Sequence, residues 1–253
     1  MAPRLFRDSS RELDVLRMSD LQSAADSAFH PDRLRTGADQ DGQLSADEYV
    51  QMVRDLIKMD KNVCLCRNFH NFNKKELAAR LKRREPVHID AWPVNFFDTE
   101  APCTSDDVTS QFLLQLSTVL LMTAAFRGTS MRLRVLLCAS SAVPAHVVTQ
   151  LHDRLQTSLR EMRIRGQIVV RVLDEMRQQV TSVEDASDQY LTSINRRIRS
   201  ESAATAITYL YLPRPASDGG ADSRYLRHLS ALTDRLPPCV LVHGVSRVTT
   251  TAL

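Results

Sequence analysis

Four groups of residues in this 253-residue chain have types and spacings that could support chemistry. The first is an acidic turn at residues 37–48. Setting Gly42 on the glycine of a helix–loop–helix calcium site brings Asp39, Asp41, Leu44, Ser45 and Glu48 to suitable loop positions. The first ligand position is then Gly37, which offers no carboxylate, and Pro31 breaks the entering helix. Ser45 and Glu48 have a simpler role as a capping box, each side chain taking the other's free backbone N–H. The expectation is an acidic turn that does not bind calcium. The second group is Cys64 and Cys66, two apart and therefore on one strand face, but no further Cys/His set completes a tetrahedral metal site. They read as core thiols. The third is His88 and His243, both inside strands and read as core histidines rather than ligands. The fourth is the basic run Lys74, Lys75, Arg80, Lys82, Arg83 and Arg84: a solvated face, or a contact for anionic lipid headgroups. A kinase-type match, Arg197-Ile198-Arg199-Ser200, is too short to be specific.

Larger catalytic signatures are missing. Phosphate-binding loops need glycines so that backbone amides can approach the anion. Cys138 is instead followed by ASSAVPAH, and the whole chain has seven glycines. There is no GxGxxG, no P-loop and no GxSxG elbow. No catalytic residue, cofactor site or metal site is assigned, and the expectation is a protein that is not an enzyme.

The elements that position these residues follow from periodicity. Ala206–Leu212 is a short β-rich run stopped by Pro213 and Pro215; Asp222–Leu236 has helical spacing and ends at Pro237-Pro238; Cys239–His243 is a second apolar run. Strand, helix, strand with continuous apolar runs predicts parallel strands covered on both faces. Upstream, Glu12–Phe29 and Ser45–Lys58 read as helices and Val63–Cys66 as a strand. Asn73–Glu85 is a basic helix or loop, and Val87–Trp92 a strand. Asp107–Met122 reads as a helix apolar nearly all round, hence buried. Arg132–Cys138 is a strand, Pro144–Met162 a helix, Gln167–Leu173 a strand and Val183–Ile198 a helix. This alternation predicts an α/β fold, a doubly wound, mostly parallel sheet with helices on both faces. Arg132–Cys138, Gln167–Leu173, Ala206–Leu212 and Pro238–His243 are expected to be neighbours. Residues 1–44 form an N-terminal helical segment and 45–253 the main domain.

Composition narrows the function classes. With 43% hydrophobic and 25% charged residues, the chain has ordinary globular composition. A formal net charge of +3 is too small to point to nucleic acid. Five cysteines and no secretory signal read as reduced thiols. The best membrane candidate, Phe112–Phe126, is short and polar-interrupted against the roughly 20 apolar residues a span needs.

Several blocks then resemble a known family. YLYLPRP (Tyr209–Pro215) and LPPCVLVHGVSRVTTTAL (Leu236–Leu253) resemble the close of the C-terminal cytoplasmic domain of the cation–chloride cotransporters, solute carrier family 12. DEYVQMVRDLIKMDKNVCLCRNF (Asp47–Phe69), HIDAWPVNFF (His88–Phe97), SQFLLQL (Ser110–Leu116) and MRLRVLLC (Met131–Cys138) are similar to earlier segments of that domain, in the correct order, and most like its orphan branch. The resemblance implies a fold like that of universal stress proteins, placed beneath a membrane transporter that moves chloride with potassium or sodium. It also implies a regulatory and dimerising role. The membrane part has no counterpart here, so no ion-site residue carries over. The expected partners are a second copy or a membrane cotransporter, engaged through the last βαβ unit and its Arg224–Arg235 helix, with no nucleic acid. A free-standing, universal-stress-like ligand-binding module is the alternative.

Overall fold

The computed structural model describes residues 44–99, 107–123, 126, 129–178, 180–216 and 221–246. All lie within one compact unit, Leu44–Leu253. The helix expected at Glu12–Phe29 and the acidic turn up to Gln43 fall outside the described residues.

Six strands make one sheet: β1 (Val63–Arg67), β2 (Val87–Trp92), β3 (Met131–Ala139), β4 (Gly166–Val172), β5 (Thr205–Tyr211) and β6 (Cys239–His243). Their order is β1-β6-β5-β2-β3-β4. β1 runs antiparallel to β6, and the other neighbouring pairs are parallel. The helices are α1 (Ala46–Lys58), α2 (Lys74–Lys82), α3 (Val108–Met122), α4 (Ala145–Glu161), α5 (Asp188–Glu201) and α6 (Asp222–Thr233). The fold is therefore the doubly wound α/β sheet that the periodicity predicts.

One expectation about order is corrected. β3, β4, β5 and β6 are not one contiguous set, because β2 lies between β3 and β5. The chain builds outward from β2 through β3 to β4, then returns to the other side of β2 for β5 and β6. Two element bounds also differ. The helix expected from Val183 starts at Asp188, where Ser187 Oγ accepts the Tyr190 amide at 3.1 Å and caps it. The basic stretch at 73–85 is helical only over Lys74–Lys82.

Side-chain alternation along the strands divides the interior into two cores. On one face α1, α5 and α6 cover Trp92, Leu136, Leu210 and Leu241; on the other α2, α3 and α4 cover Ile89, Val135, Tyr209 and Val242. The helix expected to be buried all round is buried mainly in its first half. Phe112, Leu113 and Leu114 of α3 are inside, while Val119 and Met122 are 43% and 46% exposed. Leu116, Leu120 and Leu121 still pack on the core, so the second half of α3 turns one side to solvent.

Two buried ion pairs tie these layers together. Asp90 on β2 is fully buried and receives Arg134 of β3 through two bonds of 2.7 and 2.6 Å, plus the Thr205 hydroxyl at 2.5 Å. Arg134 also donates to the Glu201 carbonyl at 2.9 Å, and the Glu201 carboxylate takes Arg171 of β4 at 2.5 and 2.8 Å. The network links four strands to the end of α5. On the same face, Arg54 of α1 pairs with Asp222 in the first turn of α6, both nearly sealed from water.

Gly244 is where backbone approaches backbone. A Cβ there would stand 2.8 Å from Phe112 Cβ and 3.0 Å from the Val108 carbonyl. Thr109 closes the joint, its hydroxyl donating to the Gly244 carbonyl at 3.0 Å and accepting its amide at 3.1 Å. The start of α3 thus sits directly on the end of β6. Gly244→Ala should cost about 1–3 kcal/mol through overpacking, read as a lowered urea midpoint. An unchanged midpoint would mean that α3 is free to slide.

Candidate functional site

In an open parallel sheet, ligands bind beyond the strand C-termini where the winding reverses. Here that point lies between β2 and β5. A cleft of about 280 Å³ opens there, lined by Asn95, Phe97 and Asp98 after β2, Thr181–Glu184 after β4, Tyr211 at the end of β5 with Pro213, Arg214 and Ala216 beyond it, and His243 at the end of β6. Its walls are fixed from behind. Tyr190 of α5 donates its hydroxyl to the Phe96 carbonyl, and Tyr225 of α6 to the Pro213 carbonyl, each at 2.9 Å. Thr99 binds the Val180 backbone in both directions, its amide donating to the carbonyl at 2.8 Å and its hydroxyl accepting the amide at 3.0 Å.

His243 lines the floor of the cleft. Its Nδ1 lies 3.1 Å from the Leu212 carbonyl, so Nδ1 carries the proton and Nε2 accepts from Arg214 Nε at 3.3 Å. Burial lowers the pKa of His243, and Arg214 adds to that effect. A neutral imidazole thereby orients an exposed guanidinium at the cleft mouth. This arrangement can hold a small polar or anionic group. It does not assemble a nucleophile with a base: Thr181 and Ser182 donate to Asp185, at 2.6 and 3.0 Å, and so brace their own turn. The N-terminus of α3, the seat a phosphate would take, is filled by Asp107, whose carboxylate accepts the Ser110 amide at 3.0 Å.

The residues singled out in the sequence lie apart from one another. Ser45 and Glu48 form the capping box, with bonds of 2.7 and 3.2 Å; the Asp39, Asp41 and Gly42 portion of that turn is outside the described residues. Cys64 and Cys66 are not core thiols. They are exposed on β1, because an edge strand turns one side of its pleat to solvent. Partial burial still raises both thiols, Cys64 to about 11, so neither is an activated nucleophile. Cys138 and Cys239 are buried as expected. His243 is buried, as anticipated. His88 is only partly so, and its Nδ1 is enclosed without a hydrogen-bond partner; burial and the nearby Arg134 depress its pKa. Among the described residues no three His, Cys, Asp or Glu side chains could jointly hold a metal ion. Ser200 is exposed at the end of α5, but Ile198 beside it is fully buried, so that motif is not presented as an extended strand.

Of the six basic residues, Arg80 and Arg83 are taken by Glu85 at 3.3 and 2.6 Å. Helix α6 turns one side to the core and the other to solvent. Tyr225, His228, Leu229 and Leu232 are buried, and its free side is polar, with Arg224, Arg227 and Ser230. The sequence did not single out Asp90, Arg134 or the Arg54–Asp222 pair, and it did not single out the cleft.

Among the described residues no helix is long and apolar enough to cross a membrane. No family model matches the chain. Curated relatives do: solute carrier family 12 member 9 from Danio rerio is 33% identical over 216 residues, and that from Xenopus laevis 35% over 222. The Homo sapiens protein of the same name is 33% identical over 242 residues. Each alignment takes in 83% of this chain but only 24–26% of the relative, so the chain spans about a quarter of the proteins it matches.

Proposed function

The chain is a homologue of solute carrier family 12 member 9, and from that premise we propose that it is a cytoplasmic regulatory and assembly domain of a cation–chloride cotransporter. It acts by pairing with a second copy or by docking on the transporter's cytoplasmic side, and conducts nothing itself. The observation that carries this is homology along 83% of the chain to proteins named as carriers. Two features support it. A conduction path needs membrane-spanning helices or a closed barrel, and the described residues form an open α/β sheet flanked by short helices. The cleft at the winding reversal orients one arginine and holds no nucleophile–base pair.

Sedimentation of the purified chain, followed by capture of a full-length family 12 cotransporter on the immobilised chain, tests this. Self-association or capture is expected. A strict monomer at high concentration that also captures no cotransporter would overturn the proposal. The cleft beside Arg214 favours a second reading, a ligand-binding module like the universal stress proteins. A melting temperature raised by ATP and insensitive to it in Arg214→Ala would put that reading ahead.

A further inference from the structure

We propose that the N-terminal edge of the sheet is a docking face for the anionic headgroups of a phospholipid membrane. This rests on the reading above only in supposing that the chain works beside a membrane. Because β6, β5, β2, β3 and β4 are parallel neighbours, their first residues share one edge. Five strands at about 4.8 Å spacing make that edge roughly 19 Å long. Along it stand Arg235 before β6, Arg199 before β5, Arg84 before β2, Arg132 on β3, and Arg163 and Arg165 before β4, all exposed. Arg84, Arg163, Arg165 and Arg199 make no side-chain hydrogen bond or ion pair with any described residue. The same edge carries Glu85, Glu161, Glu201 and Asp234, three of them engaged by arginines, while the opposite edge collects Asp98, Asp107, Asp174, Glu184, Asp185 and Asp188 beside Lys61 and Arg214, so the first edge is the more basic of the two.

Backbone conformation supplies an independent sign. Arg84, Arg163 and Arg235 have positive φ, 57°, 57° and 51°. Each follows a helix end; at α2 and α4 the ends are closed by paired bonds such as Glu85 N–H to the Arg80 carbonyl and Ile164 N–H to the Leu159 carbonyl, both 2.8–3.0 Å. Glycine is the usual residue there, because a side chain in the left-handed region is strained. The helix dipole does not explain arginine, since cations within the last turn serve it without strain and α2 and α4 already have Arg80, Lys82 and Arg160. Three arginines hold strained positions on one edge; Arg235 there faces Asp234 at 3.7 Å on an exposed rim, while Arg84 and Arg163 add charge that the fold does not use.

The row is flat and wide, which suits a plane of headgroups better than one bound phosphate. It also revises the basic run. Lys74 and Lys75 begin α2, about 12 Å of helix away from this edge, and Arg80 and Arg83 are engaged by Glu85. Of the run, only Lys82 and Arg84 belong to the face.

The test is co-sedimentation of the purified chain with phosphatidylcholine vesicles, with and without phosphatidylserine. Binding should require phosphatidylserine, weaken as salt rises, and survive competition by inorganic phosphate. In Arg84→Gly/Arg163→Gly/Arg235→Gly, glycine suits each backbone position, so the melting temperature should hold or rise. Vesicle binding should nevertheless fall about 100-fold, each cation near an anionic surface contributing about fivefold. The inference fails if phosphatidylserine vesicles are ignored, if the triple variant binds undiminished, if free phosphate displaces the vesicles, or if duplex DNA is preferred. A chain that captures a cotransporter yet ignores the vesicles refutes this inference alone; vesicle binding without self-association or capture refutes the regulatory reading alone.

Discussion

Val135→Asp is expected to abolish cooperative folding. Val135 is fully buried in the middle of β3, opposite Ala91 of β2 and Ile168 of β4. No room exists for rearrangement, since a Cβ on neighbouring Gly166 would already lie 3.2 Å from Val135 Cγ2. Leu133 and Leu137 share its face, and among the described residues no buried Lys or Arg lies on that side to pair with a new carboxylate. An unpaired carboxyl there costs several kcal/mol, against a total stability of about 5–15 kcal/mol for a domain. The uncharged control Val135→Ala should cost only about 2 kcal/mol and melt cooperatively. Thermal melts of the two variants distinguish buried charge from lost packing. If the aspartate variant melts at the parent temperature, β3 is not a central strand.

Asp222→Ala should be nearly as damaging, by a different route. Arg54 is 6% exposed in its side chain and donates to Asp222 through both terminal nitrogens, to the Ala216 carbonyl at 2.6 Å and to Gln51 at 3.3 Å. Truncating Asp222 removes the carboxylate that takes both terminal nitrogens of a buried guanidinium, and breaking such a pair typically costs about 3–5 kcal/mol. Replacing both partners with apolar residues, as in Arg54→Met/Asp222→Leu, should recover most of that loss, because neither charge is then desolvated. Urea unfolding of the single and double variants measures it. A single variant losing under about 1 kcal/mol would mean that water reaches the pair and screens it.

How much of this was legible in the chain depends on what kind of signal each feature leaves. Strands such as Val87–Trp92 and helices such as Ala46–Lys58 declare themselves through apolar runs, a proline stop or a capping box, and the structure has them within a residue or two. Strand order leaves no local trace. Sequence neighbours often pair, but here the chain after β4 crosses back over β2, and nothing in Gln167–Ala206 announces that return. The cleft was illegible for a related reason. Asn95, Thr181 and Arg214 come from separate connections and His243 from the end of β6, with no motif spacing, and they meet only because the winding reverses between β2 and β5. The helix end before Arg163 was read correctly at Met162, whereas the one before Arg84 stayed open because the glycine that normally marks it is absent. The exposed cysteines reflect the same limit: an apolar run such as Val63–Cys66 looks alike in a central strand and at an edge.

The two-sided burial of the sheet has a thermodynamic consequence. Leu136 and Leu137 are adjacent in β3, yet they belong to different cores that have no side chain in common. The sheet acts as a partition, and packing defects on one side have no direct path to side chains on the other. Truncations such as Leu155→Ala under α4 and Ile194→Ala under α5 should therefore add in free energy, as distant independent sites do. Ile194 and Leu232, which share one core, should instead show interaction energy, because a cavity made by the first can be partly filled by movement of the second. The domain can thus accumulate change in one half while the other keeps its packing, and either helical layer is free to diverge at its own rate.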